Sequence, residues 1–159
     1  MEIPKIYLET TIFNFPFVDA PELRADTLRL FEEIRAGKFK PYTSGYVTKE
    51  LEAATDALRE DRIQLIKEYQ VEVIPINNEA ERLASLYIKE GVISEKYGTD
   101  ATHIAVATIY GLDCIVSLNF KHIVKRKTKI GTRSINTREG YGQIDIHTPL
   151  EVIEYDENL

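Results

Sequence analysis

Tryptophan is absent from this 159-residue chain, and cysteine and methionine occur once each. A lone cysteine, Cys114, rules out an internal disulfide. Its place in an apolar run makes it a small buried hydrophobe and fits a reducing, cytoplasmic setting. No apolar run approaches the ~20 residues that a bilayer-spanning helix needs. The start, Met1-Glu2-Ile3-Pro4-Lys5, lacks the charged-then-apolar layout of a secretory signal. No Cys/His spacing suggests zinc. There is no Gly-rich phosphate loop and no G-x-S-x-G elbow, which argues against nucleoside triphosphate and serine hydrolase chemistry. Acidic residues are missing from positions 114–138, where Lys121, Lys125, Arg126, Lys127, Lys129, Arg133 and Arg138 stand. Taking those seven from the 20 basic residues leaves 13 against 26 acids elsewhere, within a net charge of −6. A basic strip on an acidic body can meet a polyanion locally, or it is simply a solvated loop.

What is present reads as one domain of ordinary globular composition, 43% hydrophobic and 29% charged. Lys5–Thr10 reads as a buried strand and Pro21 opens a helix that Gly37 stops. Phe39–Ser44 is a second strand, Tyr46–Tyr69 a long helical pattern with a possible break, and Val71–Ile76 a third strand. Helices follow over Glu79–Glu90 and from about Thr99 to Tyr110. Asp113–Leu118 is a continuous apolar strand. Phe120–Gly142 is mixed, beginning helically, and Ile144–His147 is a last short strand. Strands alternating with helices predict an α/β fold, a mostly parallel sheet covered on both faces.

Four dispersed positions carry the chemistry. Glu9 ends the apolar run Ile6-Tyr7-Leu8, at the carboxyl end of a strand where α/β proteins place ligand-binding groups. Thr10 and Thr11 add hydroxyls able to orient water. Asn119, with Ser117 two residues earlier, occupies the matching place on Asp113–Leu118, whereas Asp113 starts that strand at the opposite edge. Glu50 falls about 60° from Val47, at the margin of the stripe Val47, Leu51, Ala54 and Leu58. Taken alone it reads equally as a helix-dipole glutamate. Asp100 opens a helix with Thr99 as cap, and Ala101, Ile104, Ala105 and Thr108 give that helix a small face for close approach to the sheet. His103, one turn on, orients Asp100, contacts a phosphate or is simply a packed ring. Three carboxylates and an amide suit Mg²⁺ or Mn²⁺, which prefer oxygen ligands.

IYLETTIF, TSGYVTKELE, GTDATHIAVAT and IVSLNFKHIV, in this order, resemble the PIN-domain family of metal-dependent ribonucleases, which includes the VapC-type toxins. The late stretch INTREGYGQIDIHTPLEVI is similar to the tail of a PIN subgroup with Asn at the fourth acidic position. The resemblance runs essentially end to end. It implies a three-layer α/β/α fold with a parallel five-stranded sheet, order 3-2-1-4-5. Residues 1–148 are then a single PIN-like domain and 149–159 a C-terminal extension. It also implies phosphodiester hydrolysis with Glu9, Glu50, Asp100 and Asn119 as catalytic positions. In this reading Glu9 and Asp100 hold the metal, Glu50 assists through water, and Thr10 and Ser117 position water. Lys121 and His122 would rim the site, with Lys125, Arg126, Lys127 and Lys129 gripping RNA phosphates. A small antitoxin and a second copy of the chain are the implied protein partners. Phe13, Phe15 and Phe17 are expected to pack against such a partner, with stacking on bases as the alternative.

Two departures matter physically. Glu9 is one methylene longer than the Asp usual in the family, and Asn119 removes one of four potential negative charges. A catalytically weakened RNA- or protein-binding domain of the same fold is therefore the alternative function. A receiver-like signalling domain fits less well, because no acidic doublet accompanies the first strand and the later strand ends in Asn.

Overall fold

The computed structural model describes residues 2–157, with side chains described through Ile153. Its centre is β1 (Lys5–Leu8), whose Ile6, Tyr7 and Leu8 are all buried, as a parallel strand covered on both faces requires. On one side β1 pairs with β2 (Lys40–Ser44), which pairs in turn with β3 (Glu72–Ile74). On the other side it pairs with β4 (Cys114–Val116), then β5 (Asp145–His147). Every pairing is parallel and the order is 3-2-1-4-5, the PIN-like arrangement.

The register sets up the functional edge. Leu8 stands opposite Val116, so Glu9 and Ser117 leave the sheet side by side. The Glu9 N–H donates to the Val116 carbonyl at 3.1 Å, which ties the two exits together. Helices link successive strands: α2 (Pro21–Arg35) between β1 and β2, α3 (Gly45–Ala53) and α4 (Arg59–Glu68) between β2 and β3, α5 (Asn78–Lys89) and α6 (Gly98–Ile109) between β3 and β4, and α7 (Arg126–Arg138) between β4 and β5. Gly111, at φ +66°, takes the left-handed turn that ends α6 and sends the chain into β4. Ala101, Ile104, Ala105 and Thr108 of α6 are all buried, but so are Val106 and Ala107, and Thr108 Oγ1 accepts from the Asn136 amide of α7 at 3.4 Å, so burial does not single this face out as the one against the sheet.

Four local expectations need correction. A short helix, α1 (Thr10–Asn14), follows β1 directly and turns Phe13 into the core at 0% exposure, while Phe15 and Phe17 pack beside it. Phe13 is thus a core residue and has no face left for a partner or a base. The 46–69 pattern is two helices, α3 (Gly45–Ala53) and α4 (Arg59–Glu68), so Leu58 does not share a stripe with Val47. Asp56 breaks it: its carboxylate accepts from the two terminal nitrogens of the Arg62 guanidinium, at 2.7 and 2.8 Å, and from the Leu58 N–H. Thr99 lies inside the first turn of α6, which begins at Gly98 and has no side-chain cap. Finally, residues 120–125 form a turn and the helix in the basic stretch starts only at Arg126. Beyond β5, α8 (Pro149–Glu157) packs against α2 with Val152 and Ile153 buried. The acidic end, residues 154–159, falls outside the described side chains.

Candidate active site

Glu9 is 3% exposed, deep for a carboxylate, and its surroundings are built to keep it there. The hydroxyls of Thr11 and Ser117 both donate to its Oε1, each at 2.6 Å. Each hydroxyl is itself aimed by a backbone donor. Leu118 N–H donates to Thr11 Oγ1 at 2.8 Å, and Asn119 N–H donates to Ser117 Oγ at 3.0 Å. With a lone pair occupied in each case, the single hydroxyl proton is directed at Glu9. The second carboxylate oxygen takes neither bond.

Asp100, half-buried in the first turn of α6, shares this region. Burial pushes its carboxyl above the usual range, and the negative charge of Glu9 adds to that. His103, His122 and a hydrogen bond with the Asn119 side chain offset only part of the rise. Asn119 has a defined orientation. Its Oδ1 accepts the His122 N–H at 3.1 Å, and a backbone N–H can only donate, so the amino group is the end left for Asp100. Asn119 therefore supplies Asp100 with a donor where an acid would have supplied repulsion. The His122 ring stacks on Tyr97, with centroids 3.6 Å apart and planes 23° from parallel.

Glu50 projects from α3, whose N-terminus is capped by Ser44 accepting the Tyr46 N–H at 3.3 Å. Its side chain is 38% exposed, yet Oε1 is held twice, by Thr10 Oγ1 at 2.9 Å and by His103 Nε2 at 2.6 Å. Desolvation would raise this carboxyl, but the bonds and charge of His103, with Thr10, outweigh it and hold Glu50 below the usual range. For His103, burial favours the neutral ring, while the Glu50 bond and the charges of Glu9, Glu50 and Asp100 reverse that and raise it. Behind the ring, His103 Nδ1 lies 2.7 Å from the Tyr7 hydroxyl, which lies 2.7 Å from Ser44 Oγ. Burial pushes the Tyr7 phenol well up, so it stays protonated.

The structure thus joins all four sequence-derived positions, Glu9, Glu50, Asp100 and Asn119, through hydrogen bonds and mutual charge. Thr10 and Ser117 both commit their protons to carboxylates. Among the described residues, no three His, Cys, Asp or Glu side chains gather into a set able to hold a metal ion by themselves. Of the basic positions, Lys121, Lys125, Arg126 and Lys127 are exposed, and His122 sits nearest the acids. Lys129 is half-buried and lies toward Glu151 of α8, whose carboxyl it helps to lower. The expectation missed the link from Tyr7 through His103 to Glu50. Its one signal was a tyrosine inside an apolar strand, since a buried phenol needs a partner for its hydroxyl.

No family model and no curated protein matches the chain. Its fold does match solved structures. One is the structure of FitAB bound to a DNA fragment, at TM-score 0.57 and 12% identity over 91% of this chain and 94% of that one. Another is VapC20 of Mycobacterium tuberculosis, a sarcin–ricin loop cleaving toxin, at TM-score 0.56 and 17% identity over 77% of this chain and 97% of that one.

Proposed function

We propose that this chain is a metal-dependent endoribonuclease of the PIN type and the toxin component of a toxin–antitoxin pair, acting in the cytoplasm. The observation that carries the reading is the pairing of buried Glu9 with Asp100 at the carboxyl edge of the sheet. Two carboxylates, the charge of one adding to the burial that raises the other, form a negative site that His103, His122 and Asn119 compensate only in part, and a divalent cation would relieve it. Its donors are hard oxygens, which suit Mg²⁺ or Mn²⁺. The fold shared with VapC20, a sarcin–ricin loop cleaving toxin, supports the same reading.

Glu9 and Asp100 are the residues that would hold the ion, and the missing fourth acid, where Asn119 stands, favours a single ion. When bound, such an ion activates water toward a phosphodiester and offsets charge on the phosphate oxygens. The residues of the chain do the rest. Thr11 and Ser117 hold the Glu9 carboxylate through Oε1 and leave its second oxygen free of both bonds. Asn119 donates to Asp100 and leaves its carboxylate charge in place. Glu50 offers its unbound oxygen to a water or a substrate hydroxyl.

The basic strip fits the substrate. Lys125, Arg126 and Lys127 cluster at the N-terminus of α7, where the helix dipole disfavours cations and the first turn holds no acid. RNA phosphates there would remove that repulsion. The partners in this reading are an RNA substrate, a small antitoxin protein and a second copy of the chain.

The binding-domain alternative draws support from Asn119, whose Oδ1 is turned to His122 and adds no oxygen to the site. Cleavage of structured RNA in Mn²⁺, with Asp100→Asn as control, separates the two. The nuclease reading expects products from wild type alone. Equal signal from both proteins favours the binding domain.

A further inference from the structure

We propose that His103 is the positioning residue of this site: held from behind by Tyr7, it fixes the Glu50 carboxylate in the one orientation that leaves an oxygen facing the substrate. This rests on the nuclease reading above and assigns a division of labour within it.

Glu50 is the least restrained of the acids by its own backbone. It stands at the exposed edge of α3, and a glutamate there has three rotatable bonds and water on one side. What restrains it comes from beneath. His103 is fully buried, 0% exposed, and both of its ring nitrogens are engaged, Nε2 by Glu50 and Nδ1 by Tyr7. The ring therefore cannot flip without losing two short bonds. Tyr7 cannot move either, because β1 is the central strand and Ser44, the cap of α3, takes the other side of its hydroxyl.

The chain of contacts runs from the cap of the helix that carries Glu50, through β1 and α6, back to Glu50 itself. Three separate elements thus fix one carboxylate. His103 and Thr10 converge on the same oxygen, Oε1, so Oε2 is the atom left to act.

A merely structural histidine would be satisfied by Tyr7 and any acceptor in the core. This one reaches instead to a carboxylate at the solvent edge. It is also the ring subject to the charges of Glu9, Glu50 and Asp100 together.

The test is a double-mutant cycle on wild type, His103→Ala, Glu50→Gln and the double variant, followed by RNA cleavage in Mn²⁺. If His103 acts through Glu50, His103→Ala lowers kcat roughly 10- to 100-fold with KM for RNA within about twofold. The double variant is then no slower than Glu50→Gln. His103→Gln, which restores a donor near the Nε2 position, recovers most of the loss. Losses that multiply in the double variant overturn the proposal.

A second readout does not need activity. In nitrogen-15 spectra of the metal-free protein, the His103 ring resonances shift in Glu50→Gln and in Tyr7→Phe and stay in place in Lys121→Ala. Unchanged ring resonances in Glu50→Gln overturn the proposal even if cleavage is never seen. Absent cleavage by wild type, with the shifts present, overturns only the nuclease reading. Should His103→Ala fail to fold, His103→Gln and the two spectral variants carry the same decision.

Discussion

Asp100 and Glu50 occupy one site, yet their surroundings treat them in opposite ways. Asp100 is half-buried with an amide as its partner, and burial first, then the charge of Glu9, pushes its carboxyl up. Glu50 sits against His103 and Thr10, and its carboxyl is pulled down. Acids whose environments push their proton affinities apart have separate roles. The Glu9–Asp100 half stores repulsion that a cation would release. The Glu50 half is already neutralised by the protein and is rigid without a ligand.

The sharpest break of this comparison is Asp100→Asn. It should lower Mn²⁺-dependent cleavage by roughly 10³-fold, the scale of losing a main electrostatic group. The same substitution should stabilise the metal-free protein, on the order of 1 kcal/mol, as relief of functional strain does. Urea midpoints without metal check the sign. Glu50→Gln should go the other way in stability. It leaves buried His103 with a weaker acceptor and costs about 1–2 kcal/mol, read by the same midpoints.

Asn119→Asp probes the repulsive half from the opposite direction. The aspartate would have to accept where Asn119 now donates, so metal-free stability should fall by about 1 kcal/mol while Mn²⁺ affinity rises. Thermal melts with and without Mn²⁺ should diverge more than in wild type.

The paired half also has a pH signature. Glu50 is lowered in the folded state, so its contribution is present above its unfolded value and lost as pH falls through the folded one. His103 is raised, so its contribution is present below its unfolded value and lost as pH rises through the folded one. The pair therefore stabilises fully between about pH 4.3 and 6.5, the two unfolded values, and fades on either side. The stability gap between wild type and Glu50→Gln should be widest near pH 5.5 and narrower at pH 9. A gap independent of pH would show that the pair is not charged.

The smallest effect belongs to the basic strip. Replacing Lys125, Arg126 and Lys127 by alanine should reduce the log–log salt slope of RNA binding by about 2, near 0.7 per phosphate contact on a single strand. Filter binding across a salt series measures it.

Much of the sheet was legible beforehand, because buried parallel strands announce themselves as unbroken apolar runs. Tyr7 and Leu8 in β1, and Ile115 and Val116 in β4, are such cases, and Glu9 and Asn119 follow from where those runs stop. Strand order came from the resemblance to the PIN family, since neither periodicity nor spacing sets it. Glu50 was found by helical phase, although the helix proved shorter than its pattern. The break at Asp56 depends on Arg62 folding back, and no local preference encodes that. The Tyr7–His103–Glu50 connection was illegible for a different reason. Its bonds span 96 and 53 residues of sequence, and the direction of a histidine ring is decided only when three elements have packed. Phe13 shows the same limit, since an apolar residue after a strand reads alike whether it faces the core or a partner.

Calorimetric titration of Mn²⁺ into wild type and Asp100→Asn tests most directly the central claim, that Glu9 and Asp100 together form the cation site. Wild type should bind one ion, and Asp100→Asn should bind none at the same concentrations. Equal binding by both proteins, or no binding by wild type, would contradict it.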